Sequence, residues 1–184
     1  KATVPILYES RLIELGLDQS ARETIDREFE ELTEGEELTK KEHLKAKWAQ
    51  IEAIIGNGKR IDRVAEDIVK HFELRRSALE GKGMIVCVTR RVAVDLYNAL
   101  IALRPDWYKE NDSEGFLKLV MTGSATDPLD WQQHIRNKER RQRLADRMRD
   151  SDSSFKLAIV CDMWLTGFDV PSMHTMYIDK PMRG

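Results

Sequence analysis

Two carboxylates, a hydroxyl and a glycine follow an apolar run near the end of the chain. The run is residues 157–161, and after it come Asp162, Thr166, Gly167 and Asp169. An unbroken aliphatic run is typical of a strand buried on both faces, as in a parallel sheet covered by helices. Open α/β sheets bind ligands beyond the carboxyl ends of their strands, where a glycine lets the backbone approach a ligand closely. The pattern therefore predicts a ligand-binding turn at a strand end.

A hydroxyl and a cation follow a second apolar run, MIVCV. Thr89 and Arg90 stand where this predicted strand meets a predicted helix, so a hydroxyl, a guanidinium and helix N–H groups come together. This combination suits a phosphate oxygen. In the alternative interpretation Thr89 caps the helix and the arginines are solvated. The spacing alone leaves both interpretations open, and it leaves the role of Arg91 open.

A third predicted strand, LKLVM, leads into small hydroxyl residues around a glycine. Thr122, Gly123 and Ser124 form this group. Small side chains let the main chain lie against a sugar-phosphate backbone without reading bases. The alternative is an ordinary strand-to-helix loop in which Asp127 or Asp130 caps the helix.

A run of cations marks the predicted helix at residues 131–150. Such a helix can grip a duplex, because each phosphate contact steepens the salt dependence of binding. More often it is a solvated outer face, and Glu139, Asp146 and Asp150 are available to neutralise it. The cations are Arg136, Lys138, Arg140, Arg141, Arg143, Arg147 and Arg149.

The elements that carry these residues alternate between strand and helix from Met84 onward. Apolar runs separated by helices of this length indicate βαβ units, an α/β fold and a parallel sheet with flanking helices. Residues 1–80 are predicted to be a mainly helical region with an entering strand, and residues 81–184 to form the sheet domain. Gly81-Lys82-Gly83 marks the predicted boundary.

Composition predicts a soluble globular protein. The 184 residues are 41% hydrophobic and 34% charged, with a net charge of −2. No apolar run approaches the roughly 18 residues that a membrane span needs. Cys87 and Cys161 fall in predicted buried strands, so they are expected to be core residues in a reducing compartment. A cytoplasmic protein without membrane contact is the prediction.

Long strings of the sequence resemble one protein family. DMWLTGFDVPSMHTMYIDKPMRG contains the Asp and Gly-x-Asp pattern of motif V of superfamily 2 helicases, with Cys161 in place of the usual threonine and Thr166 in place of an arginine or glutamate. Together with MIVCVTRRVAVDLYNAL, VMTGSATD and PILYESRL, it resembles the R subunit of type I restriction-modification enzymes. That subunit pumps DNA with ATP and then cuts it. The resemblance covers nearly the whole chain.

The resemblance implies a fold and separate residue roles. The fold would be an incomplete RecA-like parallel sheet, the second motor domain truncated before motif VI, with residues 1–80 linking the two motor halves. Gly167 and Asp169 would contact the nucleotide, and the fragment would hold neither catalytic residues nor metal ligands. The residues implied to contact DNA are Thr89, Arg90, Thr122, Gly123, Ser124, Asp162 and Thr166.

The resemblance also implies a function. The chain would supply one wall of the ATP cleft and a sequence-independent duplex DNA track to an ATP-dependent translocase. The full-length protein would be a type I site-specific deoxyribonuclease that uses ATP and Mg²⁺ and works with double-stranded DNA and with methylation and specificity subunits. The alternatives are another superfamily 2 translocase and a non-enzymatic α/β scaffold for protein partners.

Missing motifs limit what this fragment is expected to do. Lys59 is followed by Arg60 where a P-loop requires Ser or Thr, and Ala53 stands where its first glycine would be. No Asp-Glu pair ends a predicted strand, and the histidines lack metal-ligand spacing. We therefore expect the isolated fragment to be inactive, with neither ATP nor Mg²⁺ bound.

Overall fold

The computed structural model describes residues 6–11, 54–124 and 126–180. None of the helices in these ranges is long and apolar enough to cross a membrane. The elements are α1 (Gly58–Ala78), β1 (Lys82–Cys87), α2 (Arg90–Leu103), β2 (Leu117–Val120), α3 (Lys138–Arg149), β3 (Leu157–Val160) and β4 (Met173–Asp179), with 3₁₀ helices at Pro105–Trp107 and Leu129–His134.

The four strands form one parallel sheet in the order β2-β3-β1-β4. β1 pairs with β3 on one side, Ile85 opposite Ile159, and with β4 on the other, Ile85 opposite Tyr177. Every residue of β1, β2 and β3 is buried, whereas β4 is half-exposed. The predicted α/β fold with a parallel sheet is confirmed, and its architecture is consistent with an incomplete RecA-like sheet.

Alternate residues of the strands belong to two different hydrophobic clusters, because successive side chains of a strand point to opposite faces of the sheet. On one face α1 and α2 pack against residues such as Ile85, Leu119 and Ile159. On the other face Leu144 and Met148 of α3 pack against Met84, Val86 and Val160 of the strands. Both faces of the strands are therefore shielded from water, which explains why their sequences are unbroken apolar runs.

The first helix belongs to the core of the sheet domain. Asn57 caps α1, its side-chain oxygen accepting a hydrogen bond from the Lys59 N–H at 3.1 Å. Apolar residues at helical spacing from Ile61 to Phe72 are buried against the sheet. Burial of one such side chain contributes about 1.5–3 kcal/mol, so packing dominates the stability of α1. The division at residues 80/81 stays a prediction, but the helix before it shares a core with the sheet after it.

Residues 6–11 form neither helix nor strand. Arg11 makes a bidentate ion pair with Asp67 of α1, with both N–O distances 2.7 Å. Nε2 of His71, also on α1, lies 3.8 Å from a Glu9 carboxylate oxygen. The expected entering strand is therefore absent from residues 6–11, and these charged contacts hold the segment against α1.

The predicted helix over residues 131–150 is divided in two. Residues Leu129–His134 form a 3₁₀ helix, and α3 begins only at Lys138. Between them Ile135 forms a parallel bridge with Met121. Asn137 then caps α3 by accepting from the Arg140 N–H at 2.9 Å. The single-helix prediction was wrong because pairing with the end of β2 extends the backbone at Ile135.

Three lysines are buried at the amino ends of the strands. Nζ of Lys82 donates to the carbonyl of Arg147 at 2.8 Å, and Nζ of Lys118 donates to the carbonyl of Asn111 at 2.8 Å. Burial lowers the pKa of both ammonium groups to about 8. Lys156 donates to the Ser151 carbonyl in the same way. These ammonium groups fix the loops at the edge of the sheet where the strands begin.

Gly83 should be intolerant of any side chain. A Cβ atom there would lie 2.8 Å from Cε2 of Phe72 and 2.9 Å from Cδ1 of Leu157. We expect Gly83→Ala to lower the free energy of unfolding by about 1–3 kcal/mol, because the core must shift to admit the methyl group. Gly58→Ala is the matched control, since its Cβ would meet no atom within 4 Å. Urea unfolding that shows equal stability for both variants would contradict the packing.

His134 should make the fold sensitive to acid. Its imidazole is buried edge-to-face against Tyr97, with ring centroids 4.5 Å apart. Burial, and then the Arg136 charge, lowers the pKa of His134 to about 4. The folded state therefore binds the proton less readily than the unfolded state, and stability falls as pH drops from 6.5 towards 4. We expect a loss of about 3 kcal/mol from this group.

The difference between wild type and His134→Phe isolates that contribution, because the phenyl ring keeps the edge-to-face contact and does not titrate. The two proteins should differ in the pH dependence of unfolding only below about pH 6.5. Parallel stability curves from pH 7 to 4 would show that His134 does not carry the effect.

Candidate nucleic-acid interface

The predicted site residues gather at one edge of the sheet. Parallel strands all end on the same side, so the turns after β1, β2 and β3 are neighbours. The predicted site consists of nine residues, and each of them is exposed or half-buried. They are Thr89 and Arg90 after β1, Thr122, Gly123 and Ser124 after β2, and Asp162, Thr166, Gly167 and Asp169 after β3.

Thr89 is the N-cap of α2. Its hydroxyl oxygen accepts a hydrogen bond from the Val92 N–H at 3.3 Å. The alternative interpretation is therefore correct in that Thr89 caps the helix. It does not exclude a phosphate contact, because the hydroxyl proton of a capping threonine is still available to donate.

Arg90 links the turn after β1 to the turn after β2. Its Nη1 lies 2.6 Å from a carboxylate oxygen of Asp127 and 3.1 Å from the carbonyl oxygen of Thr122. Its guanidinium carbon lies 5.5 Å from the centre of the Trp131 ring, a cation–π distance. About a third of the side chain, 34%, remains exposed. Arg90 is thus held in place while part of its side chain stays exposed to solvent.

Asp127 organises the same two turns. Besides Arg90, its carboxylate accepts a hydrogen bond from the Ser124 N–H at 2.5 Å. The hydrogen bond from Arg90 lowers the pKa of Asp127, which therefore stays ionised. The expectation that Asp127 or Asp130 caps the next helix was wrong, since the Leu129–His134 helix has no side-chain cap. No sequence pattern distinguishes the observed role from capping.

The glycine after β2 has a packing role. A Cβ atom on Gly123 would lie 2.5 Å from Cγ2 of Ile135. The hydroxyls beside it are exposed, and Oγ of Ser124 lies 3.2 Å from Oγ1 of Thr126. Gly123 therefore lets the chain pass close to Ile135, and this brings the neighbouring hydroxyls to the surface.

The turn after β3 projects into solvent. Thr166, Gly167 and Asp169 are all exposed. Gly167 has a φ of 67°, and a Cβ there would meet no atom within 4 Å. At the base of the turn the Asp162 carboxylate accepts a hydrogen bond from Nζ of Lys180 at 2.9 Å. This contact ties the turn to the end of β4 and supplies a cation beside Asp162.

A partly buried ion pair that no sequence motif marks also lies at this edge. The guanidinium of Arg60, near the start of α1, bonds both carboxylate oxygens of Asp179 at the end of β4. Their side chains are only 14% and 13% exposed. Arg60 also donates to the Ile55 carbonyl at 3.1 Å. The pair fixes α1 to the strand whose end borders the site.

Most cations of the arginine-rich segment at residues 136–149 have structural partners. Arg136 is buried, with Nε 2.7 Å from Asp112 and Nη1 2.9 Å from the Leu119 carbonyl. Arg140 reaches the same aspartate at 2.8 Å. Arg147 donates to main-chain carbonyls before β2, including that of Glu114 at 3.1 Å. These contacts favour a structural role for the cations and leave few of them for DNA.

The described residues contain no group of three or more His, Cys, Asp or Glu side chains arranged to hold a metal ion. His174 is half-buried, and its ring lies against Phe72 with centroids 6.0 Å apart. Burial lowers the pKa of His174. These contacts show His174 in a packing role.

Comparison with known proteins points to one family. Residues 122–184 match the family model for type I restriction enzyme subunit R domain 3. Over 183 residues the chain is 41% identical to the type I restriction enzyme HindI endonuclease subunit of Haemophilus influenzae, covering 100% of the chain and 17% of that protein.

Archaeal relatives give the same result. The putative type I restriction enzyme MjaIXP endonuclease subunit of Methanocaldococcus jannaschii is 40% identical over 183 residues, covering 98% of the chain and 16% of that protein. The putative MjaVIIP endonuclease subunit of the same organism is 28% identical over 206 residues. The chain thus spans a small part of the length of its relatives. It belongs to the type I restriction enzyme R subunit family and corresponds to a segment of those longer relatives.

Proposed function

We propose that this segment is part of the ATP-dependent DNA translocase of a type I restriction endonuclease. It contributes a sequence-independent track for duplex DNA and one wall of the ATP cleft. One observation carries the proposal: hydroxyls, a glycine and an arginine from two strand ends form one bonded surface through Arg90, Thr122 and Asp127. Groups of these types can contact phosphates and sugars, and contacts to phosphates and sugars carry no sequence information.

The DNA track would use residues from all three turns. Thr89, Thr122, Ser124 and Thr166 offer hydroxyls, and Arg90 offers a guanidinium. Gly123 lets the main chain approach the backbone. Asp162 carries the same charge as a phosphate, so its contribution would come through Lys180, which it holds at 2.9 Å.

The nucleotide would lie against the turn after β3. Gly167 and Asp169 fit a nucleotide contact because both are exposed and the space beside Gly167 is open. The Asp169 carboxylate can accept a hydrogen bond from a sugar hydroxyl. Bound ATP would supply the free energy for movement. The groups that hold its phosphates and Mg²⁺ would come from other parts of the full-length subunit, since Lys59 is followed by Arg60 where a P-loop requires Ser or Thr.

The full-length protein would act as a type I site-specific deoxyribonuclease in the cytoplasm. Its proposed partners are double-stranded DNA and the methylation and specificity subunits of the same complex. Two relatives that are named endonuclease subunits support this assignment. The 184-residue segment would have no activity by itself, because one wall of a cleft cannot open and close around a nucleotide.

DNA binding by the chain should be indifferent to sequence and weakened by salt. We expect Arg90→Gln to reduce the slope of log affinity against log salt by about one phosphate contact. Arg104→Gln is the matched control, since Arg104 follows the other end of α2 and pairs with Glu73. Fluorescence anisotropy with two unrelated duplexes measures both effects. A preference for one duplex at fixed salt would contradict the proposal, as would equal slopes for the two variants.

Gly167 should be essential for translocation by the full-length subunit. Because its φ is 67° and its surroundings are open, Gly167→Val strains the backbone without creating a clash. We expect translocation to be abolished and the segment to lose about 1–2 kcal/mol of stability. Gly167→Asn should retain much of the activity, because asparagine tolerates a left-handed conformation. Wild-type velocity in the valine variant would contradict a role for this turn in the motor.

A further inference from the structure

The turn after β3 contains an unusual backbone conformation. Trp164 has a φ of 64° and is the one non-glycine residue with a positive φ among the described residues. A bulky residue rarely adopts this conformation unless its surroundings enforce it. Strain of this kind is often found where a functional loop is held in a fixed shape. The contacts of Trp164 show what enforces it here.

An aromatic stack closes the base of the turn. The rings of Trp164 and Phe168 are 4.4 Å apart between centroids, with an angle of 17° between their planes. The guanidinium carbon of Arg149, from the last turn of α3, lies 4.8 Å from the centre of the Phe168 ring. Both aromatic residues also pack against the hydrophobic cluster beneath the sheet. The two sides of the turn are therefore fixed to each other and to the core.

The tip between the two aromatic residues has no comparable support. Leu165 is 42% exposed, and Thr166 and Gly167 are exposed as well. A three-residue tip of this kind would sample many conformations if its ends were free. Closing the ends removes most of that freedom before a ligand arrives, and a preorganised loop binds with a smaller entropy cost.

We infer that Trp164 and Phe168, supported by Arg149, are positioning residues that hold the turn in the conformation in which Thr166 contacts a nucleic-acid phosphate. They act through the shape of the turn and need not touch DNA themselves. The inference rests on the proposed function of the turn. It adds residues that neither the family motif nor the comparisons assign.

Backbone ¹⁵N relaxation of the 184-residue chain tests the clamp without requiring any activity. We expect Trp164→Ala to lower the order parameters of the amides of residues 165–168 from about 0.85, typical of rigid backbone, to below about 0.6, because the ends of the turn are no longer held together. Trp164→Phe should keep the order parameters high, since it keeps an aromatic ring on Phe168. Tyr108→Ala is the matched control, because Tyr108 is an exposed aromatic residue outside this turn. Unchanged order parameters in Trp164→Ala would overturn the inference whatever the function is.

Binding of a mixed-sequence duplex, followed in the same variants and in Thr166→Ala, tests the consequence. We expect Trp164→Ala and Thr166→Ala to bind the duplex more weakly than the wild type, and Trp164→Phe to bind it as tightly as the wild type. If Thr166→Ala weakens binding and Trp164→Ala does not, the positioning role is wrong and the proposed function stands. If neither change affects binding, the DNA role of the turn fails, and the inference fails with it.

Discussion

Parallel pairing of fully buried strands is the constraint on which the rest of this structure depends. Antiparallel strands would place successive turns at opposite edges, whereas parallel strands bring every turn that follows a strand to one edge. β1 lies between β3 and β4, and β3 lies between β1 and β2, so residues far apart in sequence become neighbours. Burial of both faces requires helices on each side, and α1, α2 and α3 supply them.

The charged side chains inside this fold mainly hold its elements together. Arg60 and Asp179 form a pair that is shielded from water, and Arg136 is buried against Asp112 and two carbonyls. Removing one member of such a pair would leave the other charge shielded from water and without a partner. The cost of that change exceeds the stability that the intact pair contributes. Under the proposed function, attraction of a phosphate backbone would therefore come from a small set of exposed groups at the carboxyl edge. A high count of arginines in one segment is therefore a poor measure of affinity for DNA.

The turns at the carboxyl edge are supported in different ways. Arg90 and Asp127 tie the turns after β1 and β2 together by ionic hydrogen bonds, which salt weakens where they are exposed. The turn after β3 is held at its base by the stack of Trp164 on Phe168, which salt does not weaken. The glycines of the turns after β2 and β3 also have different roles. Gly123 permits close packing on Ile135, whereas Gly167 permits a left-handed backbone in open space.

The sequence by itself determined the alternation of strands and helices, the burial of β1, β2 and β3, and the turns in which the candidate site residues lie. These features follow from local patterns, since hydrophobic period and helix-capping residues act over a few neighbours. Family resemblance supplied the proposed residue roles. The single helix expected over residues 131–150 failed because a long-range bridge between Met121 and Ile135 overrides local helix propensity.

Only the tertiary structure decided which side chains meet. Asp127 bonds to Arg90 across 37 residues of sequence, and Arg60 pairs with Asp179 across 119. Neither pairing leaves a periodic or compositional signal, because it depends on how strands separated by long connections align in the sheet. The left-handed conformation of Trp164 is of the same kind, since no local propensity favours it and only packing against the core and Phe168 enforces it.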